Sequence, residues 1–389
     1  MPRSRRVAQI LGGLALSAFA MVAVLVVIEV ALHLFPALLP AGVYGSGSFN
    51  PELGMGVHDG TVVYNKVRRT ARVANRDGFL DADHERKKPP GALRIGFFGD
   101  SYVEGVQVER DQMFYRLLGD REAKRGVETL GFGISGWGTL HSYLAEKVYG
   151  PLYDLDAVVY VFVENDPGDN LYSLNQGRQT SQLKPFGELS QDEPGFRVRW
   201  MRDPHDESAL RRALKFVQQH SRLAQLVWSR LVLLRSQGVR VQVEDETRPG
   251  QPRAGGSPDA MALPITWPAE TREEAEEMGR RVLTRWRDEL RARGVAFYVL
   301  YVPHGEKQLS GELPVESTWK PWLGRVTSEL GIPMIDPSPE LARRLAAGER
   351  MFDDHFTPAG HEVVAGVLEA KLVPALTARR EAAPPPPAP

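Results

Sequence analysis

Hydrophobic residues follow three different spacings along this chain. Ile10 to Ile28 is a run of nineteen residues without a charge. From about residue 94, short apolar runs alternate with stretches in which apolar positions recur every three or four residues. Residues 37–90 and 171–270 show neither period clearly.

The first run is long enough to cross a bilayer, which takes about 20 predominantly apolar residues. Arg3, Arg5 and Arg6 precede it, and the next Lys or Arg is Lys66. This asymmetry predicts a cytoplasmic N-terminus and an extracytoplasmic or periplasmic remainder. Glu29 falls at the outer end, within reach of the interface. A cleaved signal would carry a shorter apolar stretch of about 7–15 residues and a small-residue cleavage site. Here the run is longer, and Pro36, Pro40 and the bulky residues between them make a poor cleavage site. Residues 1–9 are therefore expected in the cytoplasm and 10–36 as a single-pass anchor.

Past residue 90, Arg94–Phe98, Val127–Leu130, Ala157–Val163, Ala296–Val302 and Pro333–Ile335 read as strands. The third and fourth are apolar throughout, as strands buried on both faces should be. Gln112–Arg125, Thr139–Val148, Glu273–Arg293 and Trp319–Leu330 read as helices, with Gly294 and Gly331 at two of their ends. Alternating strands and helices predict an α/β domain with a parallel sheet of about five strands, over residues 91–375. Residues 37–90 read as an irregular linker and pre-domain segment. Residues 171–270 read as a mostly helical insertion capping the sheet, with helix over Leu210–Leu234 and a Pro/Gly-rich loop over Glu244–Pro258. Residues 376–389 end in Glu381-Ala-Ala-Pro-Pro-Pro-Pro-Ala-Pro389 and read as a disordered tail.

Charge and composition narrow the partners. The net charge is -1 with no long basic run, which argues against nucleic acid. There is no cysteine, so disulfides, thiolate metal sites and a cysteine nucleophile are excluded.

The chemistry-bearing residues fall where strands end. Gly99-Asp100-Ser101 directly follows the first strand of the domain, and in open α/β sheets ligands bind outside the carboxyl ends of the strands. A serine hydroxyl becomes a good nucleophile only beside a general base, itself oriented by a carboxylate. Asp353-Asp354-His355 near the C-terminus offers both in one loop. With His361 nearby, two carboxylates and two histidines lie within nine residues. Divalent sites usually gather ligands from several segments, and no metal is expected.

Gly99-Asp100-Ser101, Gly133-Ile-Ser-Gly136, Glu164-Asn165-Asp166 and Asp353-x-His355 come in the order found in the SGNH (GDSL-like) hydrolases. The chain resembles that superfamily over about residues 94–370. The resemblance implies a flavodoxin-like three-layer α/β/α fold and ester or acyl chemistry without a cofactor. Ser101 would be the nucleophile and His355 the base. The oxyanion hole would comprise the backbone N–H groups of Ser101 and Gly136 and the Asn165 side-chain amide. Many members place the carboxylate three residues before the histidine, where this chain has Phe352. Asp353, two residues before, matches the branch containing polysaccharide O-acetyltransferases and related membrane-anchored proteins, and Asp354 is the alternative. Tyr102 stands where the GDSL motif has leucine, a change not expected to touch the chemistry.

Gly131-x-Gly133-x-x-Gly136 also fits a dinucleotide fingerprint, but Asp154 and Asp156 precede the strand whose end should carry the acidic residue. His141 is expected on the surface. His304 is expected in a loop at the sheet edge, where it would bind substrate or merely face solvent. Trp137 would line a sugar or acyl pocket or pack beneath the insertion. The expected activity is ester hydrolysis or O-acetyl transfer on an acylated carbohydrate or lipid of the cell envelope, through an acyl-serine. The alternatives are an inactive binding or assembly protein on the same fold and a nucleotide-binding protein. Protein partners are not indicated.

Overall fold

The computed structural model describes residues 3–35, 38–66, 68–175, 184–192, 195–200, 209–228, 230–231 and 263–382. The chain divides into two compact units, one of residues 1–46, 63–69 and 207–252, the other of 47–62, 70–206 and 253–389.

The first unit contains the helix Arg3–Leu34, whose segment Leu11–Leu34 is long and apolar enough to cross a membrane and is exposed from Leu11 to Ile28. Near its end the Glu29 carboxylate accepts hydrogen bonds from Ser221 Oγ at 2.8 Å, Arg222 N at 2.7 Å and Leu223 N at 3.0 Å. These groups begin the helical residues 222–228, where backbone N–H groups have no intrahelical acceptor. Leu32, Leu39, Tyr44 and Val63 form a small core against Leu223 and Leu226.

Strands β1 (Gly42–Asn50), β2 (Met55–Asn65) and β3 (Arg69–Val73) form a three-stranded sheet in the order β1-β2-β3. This ordered sheet occupies much of the segment read as irregular. Glycine and serine at alternate positions of β1 carry no hydrophobic period, and the buried residues of β2 follow no strict alternation. Sheet pairing there overrides weak local preference.

The second unit is built on a parallel sheet of β4 (Leu93–Gly99), β5 (Val127–Gly133), β6 (Ala157–Phe162), β9 (Ala296–Tyr301) and β10 (Met334–Ile335). The spatial order is β10-β9-β6-β4-β5. Counted along the chain this is 2-1-3-4-5, the flavodoxin-like order expected, and its switch point lies between β4 and β6. Successive side chains face opposite layers. Phe98, Tyr160 and Phe162 join Leu140, Val282, Trp286 and Leu323 on one face, while Phe97, Val159 and Val161 join Phe114, Leu118, Leu368 and Leu372 on the other. All seven residues of β4 and all six of β6 are buried, which is why both read as apolar runs.

Arg94 stands out within β4 because it is buried. Its guanidinium donates to Glu128 Oε2 at 2.6 Å and to the carbonyls of Glu85, Arg86 and Tyr153 at 2.8, 2.9 and 3.0 Å. The polar stretch before the sheet is thereby tied to its first strand.

The insertion contains an antiparallel hairpin, β7 (Pro185–Leu189) with β8 (Phe196–Trp200), and the helix Ala209–His220. The Glu244–Pro258 loop lies outside the described residues. The last helix, Pro358–Ala382, runs through residues assigned to the tail. Leu376-Thr-Ala-Arg-Arg-Glu-Ala-Ala383 consists mostly of good helix formers, which carry the helix to Ala382. The proline run beyond it is outside the described residues.

Candidate active site

The first strand of the parallel sheet ends at Gly99 and the chain turns into a short helix, Ser101–Glu104. Asp100 caps that helix, its carboxylate accepting from Tyr102 N at 3.0 Å. A side chain at Gly133 on the adjoining strand would lie 2.5 Å from Val103 Cβ and 2.7 Å from Glu104 N. Glycine at 133 therefore lets the Ser101 helix approach the sheet edge.

The base arrives from the far end of the chain. Strands β11 (Phe352–Asp353) and β12 (His355–Phe356) form a tight hairpin with Asp354 at its tip, φ +70°. Met351 N and Phe352 N donate to Glu306 Oε1 at 3.0 and 3.1 Å, fixing the hairpin's first strand. The Tyr102 ring packs 4.7 Å from the His355 ring and edge-on to Phe356 at 5.0 Å. Residue 102 thus packs against the imidazole, a contact the motif comparison did not anticipate. His355 Nε2 lies 2.7 Å from Ser101 Oγ. The Asp100 carboxylate is a more distant acceptor for the same hydroxyl, at 3.3 Å.

Two carboxylates flank His355. Asp353 pairs with it directly across the hairpin, and Asp353 Oδ1 accepts from Arg350 Nη2 at 2.9 Å. Asp354 Oδ2 lies 3.5 Å from His355 Nδ1. That is ion-pair range but longer than a good N–H···O bond, and Asp354 is more than half exposed.

Asn165 stands after β6, across the switch point from Ser101, and Nδ2 donates to Asp169 Oδ2 at 2.8 Å. Gly136 adopts φ +77°, a left-handed conformation that turns the chain after β5. Lys184, buried at the start of the insertion hairpin, joins these two positions. Its ammonium donates to the Gly136 carbonyl and to Asp169 Oδ1, the latter at 2.8 Å. On the other side of the turn, the Glu104 carboxylate accepts from Ser135 Oγ and pairs with His58. Burial alone would raise the Glu104 pKa, but the His58 and Ser135 contacts outweigh it and hold the carboxyl below its usual range. Lys184, Asp169, Glu104 and His58 escaped the sequence reading because none belongs to a motif.

Buried acids lie beneath the strand ends. Burial, with the charge of Asp169 adding to it, pushes Asp100 up to about 7. Burial also raises Asp166, which accepts from the Tyr160 hydroxyl, well above the carboxylate range. Glu164 is pushed up to about 7 by burial, though Tyr301 Oη and Trp319 N both donate to it at 2.8 Å.

The remaining candidates resolve individually. His141 is buried, not on the surface, because the insertion hairpin covers its helix. Its Nδ1 accepts from Gly138 N at 2.9 Å, and Nε2 donates to the Pro185 carbonyl at 2.6 Å. Trp137 is buried edge-on to Phe79 with ring centroids 5.9 Å apart, so it packs into the core. His304 is exposed in the loop after β9. His361 is buried, its Nδ1 accepting from Phe114 N at 3.3 Å, and desolvation lowers its pKa to about 3. Gly131 and Gly133 are accounted for by close packing, since a Cβ at 131 would lie 2.5 Å from the Tyr115 ring. Gly131 N donates to the Asp81 carboxylate, and Glu104 sits against the same turn. Acidic groups there oppose a pyrophosphate.

No protein-family model matches the chain, and no curated protein matches it. Among solved structures, the chain is similar to an acetyl xylan esterase, AlAXEase, at 12% identity and TM-score 0.40, covering 72% of this chain and 100% of that one. It is similar to the psychrotrophic esterase EstA from Pseudoalteromonas sp. at 9% identity and TM-score 0.37, covering 73% and 98%. A lipase/acylhydrolase from Enterococcus faecalis matches at 12% identity and TM-score 0.37, covering 72% and 95%.

The raised acids have a measurable consequence. A carboxyl whose folded pKa exceeds its unfolded value binds a proton more tightly when folded, so stability falls as pH rises from the unfolded value towards the folded one. For Glu164 that window runs from about 4.3 to about 7. The thermal midpoint should drop between pH 5 and pH 8, and Glu164→Gln should drop less. Equal declines in melts of the two proteins would remove Glu164 as a contributor.

Proposed function

We propose that the chain is a membrane-anchored serine esterase or O-acyltransferase acting on an acylated carbohydrate or lipid of the cell envelope. The observation that carries this reading is the 2.7 Å contact between Ser101 Oγ and His355 Nε2 at the switch point of the sheet. His355 takes the serine proton as Oγ attacks the ester carbonyl. The oxyanion is met by the Ser101 and Gly136 N–H groups and one N–H of the Asn165 amide. His355 then protonates the leaving alkoxide and an acyl-serine remains. Water or an acceptor hydroxyl, deprotonated in turn by His355, releases the acyl group.

Asp353 is proposed to orient His355, because the two stand opposite one another across the hairpin and Asp354 is long-range and solvent-screened. The anchor places the N-terminus in the cytoplasm and the catalytic domain outside, a reading supported by the uncharged helix and the arginines before it. The dead-site alternative is disfavoured by a nucleophile and base already in hydrogen-bonding contact.

A fluorophosphonate probe should label the purified protein at Ser101 and leave Ser101→Ala unlabelled. Absence of labelling in the parent would refute the serine mechanism. Asp353→Asn should lower kcat more than Asp354→Asn, and the reverse order would reassign the carboxylate while leaving the base in place. Asn165→Ala should lower kcat about 100- to 1,000-fold with KM little changed, as expected for a lost oxyanion donor. Lys184→Met, which leaves Asn165 intact, should lower kcat about 10- to 100-fold through misplacement of both donors, and Lys184→Arg should recover much of the loss. Normal turnover per folded molecule in either the Asn165 or the Lys184 variant would remove that residue from the site.

A further inference from the structure

The helix Ala209–His220 leaves its apolar side uncovered by the described residues. Leu210, Leu214, Phe216 and Val217 are each more than half exposed. At 100° per residue Leu210, Leu214 and Val217 fall within about 60° of one another with Phe216 on their flank, while Arg212, Lys215 and Gln219 fall on the opposite side. The next helical stretch, 222–228 with 230–231, exposes Val227, Trp228 and Leu231. Apolar residues over one face and basic residues over the other characterise helices that lie in a bilayer interface.

Depth is set by Glu29. The uncharged run before it spans nineteen residues, or about 28 Å of helix, close to the thickness of a hydrocarbon core. Glu29 therefore stands where the run leaves the hydrocarbon, and its carboxylate holds Ser221, Arg222 and Leu223 at the junction of the two exposed helical stretches. Leu223 and Leu226 pack with Leu32 on the same anchor helix.

We infer that residues 209–228 with 230–231 form a second membrane contact, an interfacial helix pair seated on the anionic leaflet from which the anchor helix emerges. The occupant is a lipid surface because the apolar face adjoins a membrane-length apolar helix and its opposite face is basic. The inference rests on the anchor reading, and the two fail differently.

The chain has no cysteine, so single cysteines can be placed in the full-length protein. Leu214→Cys, Val217→Cys and Gln219→Cys would each carry an environment-sensitive nitrobenzoxadiazole label. Each is reconstituted in phosphatidylcholine vesicles with and without phosphatidylglycerol. The labels at 214 and 217 should emit to the blue and be quenched several-fold more by brominated lipid than by iodide. The label at 219 should show the reverse, and phosphatidylglycerol should widen the difference. Labels at 214 and 217 that iodide reaches as readily as 219 would overturn the inference. So would labels protected from both quenchers, which would mean protein covers the face. That cover is a second copy if protection is lost on dilution into excess lipid, and the chain itself if it is not. Release of the unlabelled protein from vesicles by carbonate would instead overturn the anchor reading, and the inference with it.

Discussion

The proposed site depends on one contact between residues 254 positions apart, the hydrogen bond from Ser101 to His355. Neither side chain is useful alone, and the remaining geometry holds them in register. Buried β4 carries Ser101 to the sheet edge, Gly133 lets its short helix approach, and Tyr102 and Glu306 seat the hairpin that carries His355. The bond thus joins the first strand of the parallel sheet to the loop just before the last helix.

Much of this was legible in the sequence. A strand buried on both faces must be apolar throughout, and four polar motifs then fell at predicted strand ends or in the terminal loop. Less legible were residues whose roles arise only from folding. Lys184 belongs to no motif, and its meaning appears when the insertion brings it to Gly136 and Asp169. His141 sits in a stretch with no clue that a distant hairpin would bury it. The sheet β1–β3 was missed because glycine and serine carry no hydrophobic period.

Electrostatics around the site are divided by depth. Asp100, Glu164 and Asp166 are buried and have raised pKa values, which favours their neutral forms and limits the negative charge beneath the proposed oxyanion position. Of the other acids there, Asp169 is met by the ammonium of Lys184 and Glu104 by His58. The proposed site can in this way stand among many acids without opposing a developing negative charge.

The two bonds made by Lys184 also bear on redesign. The insertion resembles a detachable elaboration of a simpler sheet, an obvious segment to trim or exchange when altering substrate range. Yet Lys184, at the start of its hairpin, is wired into the carbonyl of one proposed donor residue and the carboxylate partner of the other. A chimera that swaps this segment must keep an ammonium at 184, or it will inherit a new binding surface together with a slackened proposed centre.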